Sequence, residues 1–200
     1  MYGYDMALAG TVNRETGDTR EIARGLRARD VAVLQMLVEE YQDRLVRYLV
    51  YVLGRRDGVD DLVQETWLRV MERGKSYDGR SRFEPWLFTV ARHLAIDFLR
   101  RRREVSLDAE DDGRPVAMAP VSEMPSPFAL AARTEDAERL AAALQGLQAI
   151  TREALVLRFM EDMSLQEIAA VVNAPVPTVA ARIYRGLAAL RSQMEEKHER

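Results

Sequence analysis

Residues 104–133 constrain the fold more than any other stretch: they carry Pro115, Pro120, Pro125 and Pro127, Gly113, and the acidic run Glu110-Asp111-Asp112. Such a composition buries little apolar surface and interrupts both helices and strands, so the segment reads as an acidic, proline-containing linker. Thirty structureless residues inside one compact domain would be unusual, so the chain is expected to divide into two domains on either side of them. Its 200 residues, 48% of them hydrophobic, suffice for two small units of roughly 70 residues each.

Outside the linker Gly and Pro are sparse while Ala, Leu, Glu and Arg abound, so summed helix propensity is high and an all-α protein is expected, two small helical domains joined by a flexible linker. The chain has no cysteine and only His93 and His198, which excludes a disulfide framework or a Cys/His zinc site; no cofactor and no metal are expected. No apolar run reaches the roughly 18 residues of a membrane span, and the first residues, with Asp5 and no basic segment before an apolar one, do not read as a signal peptide. A cytoplasmic protein without membrane insertion is expected. The net charge of −3 argues against a general nucleic-acid coating protein, yet the basic block Arg100-Arg101-Arg102-Arg103 stands just before the acidic run, so two opposed patches lie behind the average.

Residues 1–25 show no sustained period and read as a tail that orders only at its end. From Val31 the residues Leu34, Leu37, Val38, Tyr41, Leu45, Leu49 and Val52 recur at helical steps, predicting an amphipathic helix that ends near Gly54. A second helix follows Gly58, with Val59, Leu62, Val63, Trp67, Val70 and Met71 as its apolar side, and stops at Gly74. A loop then leads to a third helix whose first turn accommodates Pro85 and whose expected buried stripe is Leu87, Val90, Leu94 and Phe98. These helices define a first domain, 26–103. Helical periodicity resumes from residue 134 through Leu140, Leu144, Leu147, Leu155, Val156, Leu157, Phe159 and Met160, opening a second domain, 134–200.

The strongest local signal lies in that second domain. Ser164-Leu165-Gln166-Glu167 is a capping box that opens a short helix through Val172; Asn173-Ala174-Pro175-Val176-Pro177 breaks it; a longer helix starts at about Thr178. This is the outline of a helix-turn-helix, whose second helix enters the DNA major groove. Val179, Ile183, Leu187 and Leu190 are expected to pack inward, which leaves Thr178, Arg182 and Arg185 on the opposite face. Arginine there can offer paired donors to a guanine edge or meet phosphates, though an arginine on a helix can also be merely solvated.

In the first domain Asp60, Asp61, Gln64, Glu65 and Leu68 form one outward face of the second helix, acidic with an apolar end. It suits docking against a basic helical surface, and an acidic first turn also stabilises a helix by itself. The third helix carries an outward basic stripe, Thr89, Arg92, His93, Ile96, Arg100 and Arg103, after a loop holding Lys75, Tyr77, Arg80 and Arg82. Cations with an aromatic ring suit a single-stranded nucleic acid, the cations holding the backbone and the ring receiving an unstacked base.

Asp60-Asp61-Leu62-Val63-Gln64-Glu65-Thr66-Trp67-Leu68 resembles the core-polymerase-binding helix of sigma region 2. The run from Phe83 to Arg100 resembles the adjoining minus-10-recognition segment, and Arg158-Phe159 with the helix-turn-helix from Ser164 resembles region 4. The resemblance covers roughly 26–103 and 134–195 and points to RNA polymerase sigma factors of the small extracytoplasmic-function group. It implies that Asp60, Asp61, Gln64, Glu65 and Leu68 meet bacterial core RNA polymerase. It further implies that the 74–82 loop, with Arg92, His93, Asp97, Arg100 and Arg103, engages and opens single-stranded minus-10 DNA, and that Thr178, Arg182 and Arg185 read the duplex minus-35 element. The acidic linker would thread toward polymerase channels, an anti-sigma factor is an expected partner, and the free protein is expected to be a monomer with no catalytic site of its own. The chain departs from the family where it has His93 in place of asparagine, and Ala180 and Ala181 in place of lysine and serine, so two minus-35 contacts are expected to be missing. A ligand-sensing regulator would instead be a homodimer on a palindromic site and would leave the Asp60 to Leu68 face unexplained. For an enzyme such as a nuclease, no phosphate loop, nucleophile elbow or metal-ligand cluster is present in the sequence.

Overall fold

The structure, a computed structural model, describes residues 19–108 and 135–196. Among the described residues there are eight α-helices and no strand. The first unit comprises α1 (Thr19–Ala28), α2 (Val31–Leu53), α3 (Val59–Arg73), a 3₁₀ turn (Gly74–Ser76) and α4 (Phe83–Asp108); the second comprises α5 (Glu135–Gln145), α6 (Ala149–Phe159), α7 (Leu165–Val172) and α8 (Val176–Glu196). The linker prolines and the acidic run Glu110-Asp111-Asp112 lie outside the described residues. Helix α4 continues to Asp108, five residues beyond the expected end of the first domain.

Helix boundaries follow local chemistry. The backbone N–H of Ala32 donates to Asp30 Oδ1 at 2.9 Å, which caps α2 at its start, and Gly54, left-handed at φ 67°, ends it by donating its N–H to Val50 O. Gly58 precedes α3 at φ 81°, and a Cβ built there would sit 2.6 Å from the Phe98 ring, so both the backbone and the space exclude a side chain.

Helix α1 begins at Thr19, within the last part of residues 1–25. Its Ile22, Ala23 and Leu26 are buried against Leu37, Tyr41, Val70, Tyr77, Phe83 and Leu87. Tyr41, Tyr77 and Trp86 ring Phe83, with centroids 5.3–5.6 Å from it. Fully burying each such side chain contributes roughly 1.5–3 kcal/mol, so this cluster fixes the loop between α3 and α4.

A second core is continuous across both units. Leu45, Tyr48 and Leu49 of α2, Leu62 and Val63 of α3, and Phe88, Ala91 and Ala95 of α4 pack with Leu155, Val156 and Leu157 of α6, Ile168 and Val171 of α7, and Val179 and Ile183 of α8. The units are therefore packed together as well as linked. The buried stripe of α4 is Leu87, Phe88, Ala91 and Ala95; Val90, Leu94 and Phe98 are half-buried. The shift has a packing cause: α4 is covered by α2 and α3 and also by α7, and the small Ala91 and Ala95 permit that second contact.

Candidate nucleic-acid interface

Helix α3 buries Val59, Leu62, Val63, Thr66 and Val70 and turns Asp60, Asp61, Gln64 and Leu68 to solvent. Thr66 reinforces the buried side by donating its hydroxyl to Leu62 O at 2.6 Å. Glu65 is half-buried and held by Arg69 Nε at 2.9 Å. Leu68 is 53% exposed and Met71, assigned to the apolar side by its spacing, is 50% exposed, so an apolar end adjoins the acidic turn. This face holds no part of the core together.

In the loop Lys75 and Arg80 are exposed, with Arg80 Nε 3.5 Å from Asp78. Tyr77 is not available to an unstacked base as expected. It is 2% exposed, packed edge-on against Phe83, and donates its hydroxyl to Ser81 O at 2.6 Å. Burial, with the nearby Glu84 charge, pushes its phenol up to about 12.

The basic stripe of α4 divides. His93 and Arg100 are exposed, and Asp97 pairs with Arg100 at 3.0 Å. Arg92 and Arg82 are engaged instead: Arg92 Nε donates to Glu153 Oε1 at 2.9 Å, while Arg82 reaches Glu84 at 3.0 Å, the Asp162 carbonyl at 3.2 Å and Glu167 at 3.8 Å. The Arg103 side chain lies outside the described ones. Beyond the predicted residues, Arg44 Nε donates to Glu161 Oε2 at 2.8 Å. Burial holds the Glu161 carboxyl above its ordinary value; Arg44 and Arg47 oppose this and the Glu84 charge adds to it. Since the folded state then binds the proton more tightly than the unfolded chain, stability is greatest at and below the ordinary carboxylate range and falls as pH rises through the elevated value. Glu161→Gln, which cannot ionise, should therefore flatten the decline of the thermal midpoint as pH rises above the ordinary carboxylate range, relative to the parent chain; equal slopes would remove Glu161 from that role.

The helix-turn-helix forms as its capping box dictates. The Glu167 N–H donates to Ser164 Oγ at 3.2 Å, and Ser164 N–H donates to Glu167 Oε2 at 2.8 Å. Ser164→Ala should cost about 1 kcal/mol by chemical unfolding. Asn173, left-handed at φ 49°, closes α7, and α8 starts at Val176 with Pro177 in its first turn, two residues earlier than the expected Thr178. Val179, Ile183 and Leu190 are buried as expected, but Leu187 is 39% exposed. Gly186 makes that contact in its place: a Cβ there would lie 2.8 Å from both Leu155 Cδ1 and Thr151 Cγ2, so α8 approaches α6 by its backbone.

On the outer face Thr178 and Arg182 are half-buried and Arg185 is exposed. Sequence reasoning missed Tyr184, 76% exposed between the two arginines, although its place between them on the outer face was a usable signal. It also missed Arg152, fully buried, whose Nε donates to Tyr51 O at 2.6 Å and whose Nη1 reaches Gln145 O at 3.2 Å. These carbonyls lie in the last turns of α2 and α5, where a cation meets the negative end of each helix. Among the described residues no group of three His, Cys, Asp or Glu side chains could hold a metal ion, and no helix is long and apolar enough to cross a membrane.

A helix with an exposed acidic and apolar face, a basic helix beside it, and a capped helix-turn-helix are set in fixed order. The sigma-70 region 2 family matches residues 37–105, and the sigma-70 region 4 family matches residues 137–190, which places the chain in the sigma-70 class. The ECF RNA polymerase sigma factor SigX of Bacillus subtilis is 31% identical over 165 residues, spanning 80% of this chain and 83% of that protein. RNA polymerase sigma factor CarQ of Myxococcus xanthus is 32% identical over 162 residues, spanning 80% and 88%. The chain belongs to the extracytoplasmic-function RNA polymerase sigma factors. The fold is shared with the sigma factor RpoE of Bartonella quintana, solved in complex with the anti-sigma factor NepR, at a TM-score of 0.69 and 22% identity over 80% of this chain and 96% of that one. CnrH, solved with the cytosolic domain of CnrY, shares it at a TM-score of 0.63 and 23% identity over 90% of this chain and 99% of that one.

Proposed function

We propose that the chain binds core RNA polymerase through the Asp60, Asp61, Gln64, Glu65 and Leu68 face of α3 and brings it to promoters with α8 on the minus-35 element. Lys75, Arg80, Arg82, Arg92, His93, Asp97, Arg100 and Arg103 then meet the minus-10 strand. The chain contributes specificity and strand opening and leaves the chemistry of RNA synthesis to the polymerase. It works in the cytoplasm and is a monomer when free. An anti-sigma factor, the kind of protein named with RpoE of Bartonella quintana, holds it inactive.

The observation that carries this reading is the α3 face itself. Three exposed polar side chains and an exposed leucine stand together on a helix anchored by five buried residues, and a docking partner accounts for the combination of acid and exposed leucine. The departures at His93, Ala180 and Ala181 alter promoter preference and leave the mode of binding intact.

The test is co-purification with bacterial core polymerase, followed by transcription on a pool of promoter fragments with and without this protein. Stable association and new, position-specific start sites are expected. A chain that ignores polymerase and binds duplex DNA alone as a dimer would overturn the reading in favour of a regulator.

A further inference from the structure

We propose that α1 is the positioning element of the minus-10 loop: its Thr19 hydroxyl and its two ends hold residues 74–82 in a backbone path that keeps Lys75 and Arg80 exposed to a DNA strand. The inference rests on the reading of that loop as a minus-10 contact and adds to it the residues that set the loop's shape before DNA arrives.

Helix and loop meet at two places, and at both the loop residue is a glycine. Thr19 Oγ1 donates to Gly79 O at 2.7 Å, across 60 residues of sequence. Gly79 is left-handed at φ 73°, and a Cβ there would stand 2.7 Å from Thr19 O, 3.0 Å from Ala23 Cβ and 3.1 Å from Arg20 Cα, so the first turn of α1 packs directly on loop backbone. At the other end of the loop, a Cβ at Gly74 would meet Leu26 Cβ at 2.9 Å. By helix rise Thr19 and Leu26 lie about 10 Å apart along α1, so the helix spans the loop as a splint does. Between the two glycines Tyr77 is buried in the cluster that holds Ile22, Ala23 and Leu26, and its N–H donates to Gly74 O at 3.1 Å.

The loop divides accordingly. Gly74, Tyr77 and Gly79 are buried, while Lys75, Ser76, Asp78, Arg80 and Ser81 are exposed. Within the loop the Arg80 N–H donates to Asp78 Oδ1 at 2.9 Å, a local turn that does not by itself fix where the loop lies on the domain. Contact with α1 does. A loop ordered in advance loses less conformational entropy when a strand binds, and the difference is read as affinity. The dependence is mutual, because α1 has ten residues, a length marginal for an isolated helix. The competing role for α1 is a cover over the apolar cluster. Ile22, Ala23 and Leu26 already serve it, and it requires nothing of the Thr19 hydroxyl, which bonds loop backbone.

The experiment uses holoenzyme assembled from core polymerase and the full chain. The probe is a DNA fragment, from a promoter identified in the pool, with a duplex minus-35 element and a single-stranded minus-10 strand. Thr19→Val keeps the β-branched shape and removes the hydroxyl; it should weaken probe binding about fivefold, the scale of one lost hydrogen bond, with affinity for core polymerase and helical circular dichroism at parental values. Thr19→Ser, which keeps the hydroxyl, should restore binding. Gly79→Ala sets a side chain at a left-handed φ and against Thr19 O, and should weaken binding about tenfold. In the free chain both Thr19→Val and Gly79→Ala should speed tryptic cleavage after Lys75 and Arg80, as release of the loop requires. Lys75→Gln with Arg80→Gln should weaken probe binding in the parent chain and much less in the Gly79→Ala background, because cations on a displaced loop contribute less. Undiminished binding by Thr19→Val, absence of rescue by Thr19→Ser, or full additivity of the charge pair with Gly79→Ala would overturn the proposal. If Lys75→Gln with Arg80→Gln leaves binding intact in the parent chain, the minus-10 reading of the loop falls and the inference with it. If that pair weakens binding while Thr19→Val and Gly79→Ala do not, only the inference falls.

Discussion

Replacing Asp61 and Gln64 together by alanine is expected to weaken binding to core RNA polymerase by about thirtyfold, or ~2 kcal/mol, the scale of an interface hot spot. Both side chains are exposed on α3. The competing explanation is helix stability, and its magnitude is smaller. Asp61 lies in the first turn, where a carboxylate is worth about 0.3–1 kcal/mol against the helix dipole, whereas Gln64 is uncharged and one turn further on. The double variant should therefore keep its helical circular dichroism while titration against core polymerase shows the loss. A fall in helix content parallel to the loss of binding would assign the pair to structure, and undiminished affinity would remove α3 as the docking surface.

The fold was legible wherever a helix has one apolar side. Helix α2, with its stop at Gly54, follows from spacing and one glycine, and the capped α7 follows from Ser164 and Glu167, because these signals are local. Helix α1 was not, since its ten residues bury only Ile22, Ala23, Gly25 and Leu26, too few for a sustained period, and it is ordered by residues far along the chain. Leu187 was misplaced for a related reason: periodicity assigns inward positions to large apolar residues, but a close helix crossing favours the adjacent Gly186.

Charged and aromatic site residues are a harder case, because sequence gives their type and tertiary structure chooses their partner. Tyr77 in a polar loop has the composition of a base-stacking ring, yet Phe83 and Trp86 lie close enough to bury it. Arg92 shares a stripe with the exposed Arg100, and Arg82 shares a loop with the exposed Lys75 and Arg80; what distinguishes Arg92 is Glu153, 61 residues away in sequence, and what distinguishes Arg82 is Glu84 together with Glu167, 85 residues away. No pattern within one helix carries that information. By contrast, Arg182 and Arg185 have no ion pair among the described residues, so their availability agrees with their placement on the outer face.

That difference sets the expectation for α8. Arg182→Ala should reduce promoter-specific initiation by about 1–3 kcal/mol if the guanidinium makes a bidentate contact to a base. Because Ala180 and Ala181 stand where the resemblance leads one to expect lysine and serine, fewer side chains share the contact, which pushes the loss toward the upper part of that range. Alanine is the best helix former and Arg182 carries no intramolecular ion pair among the described residues, so the fold should lose little. Arg185→Ala separates base from phosphate recognition: a base contact relaxes preference at one position of the minus-35 element, while a phosphate contact weakens all sequences alike and lowers the salt slope by about one. Holoenzyme binding to a promoter library at several salt concentrations distinguishes them. Equal transcription by parent and Arg182→Ala from a promoter with an intact minus-35 element would remove Arg182 from promoter reading.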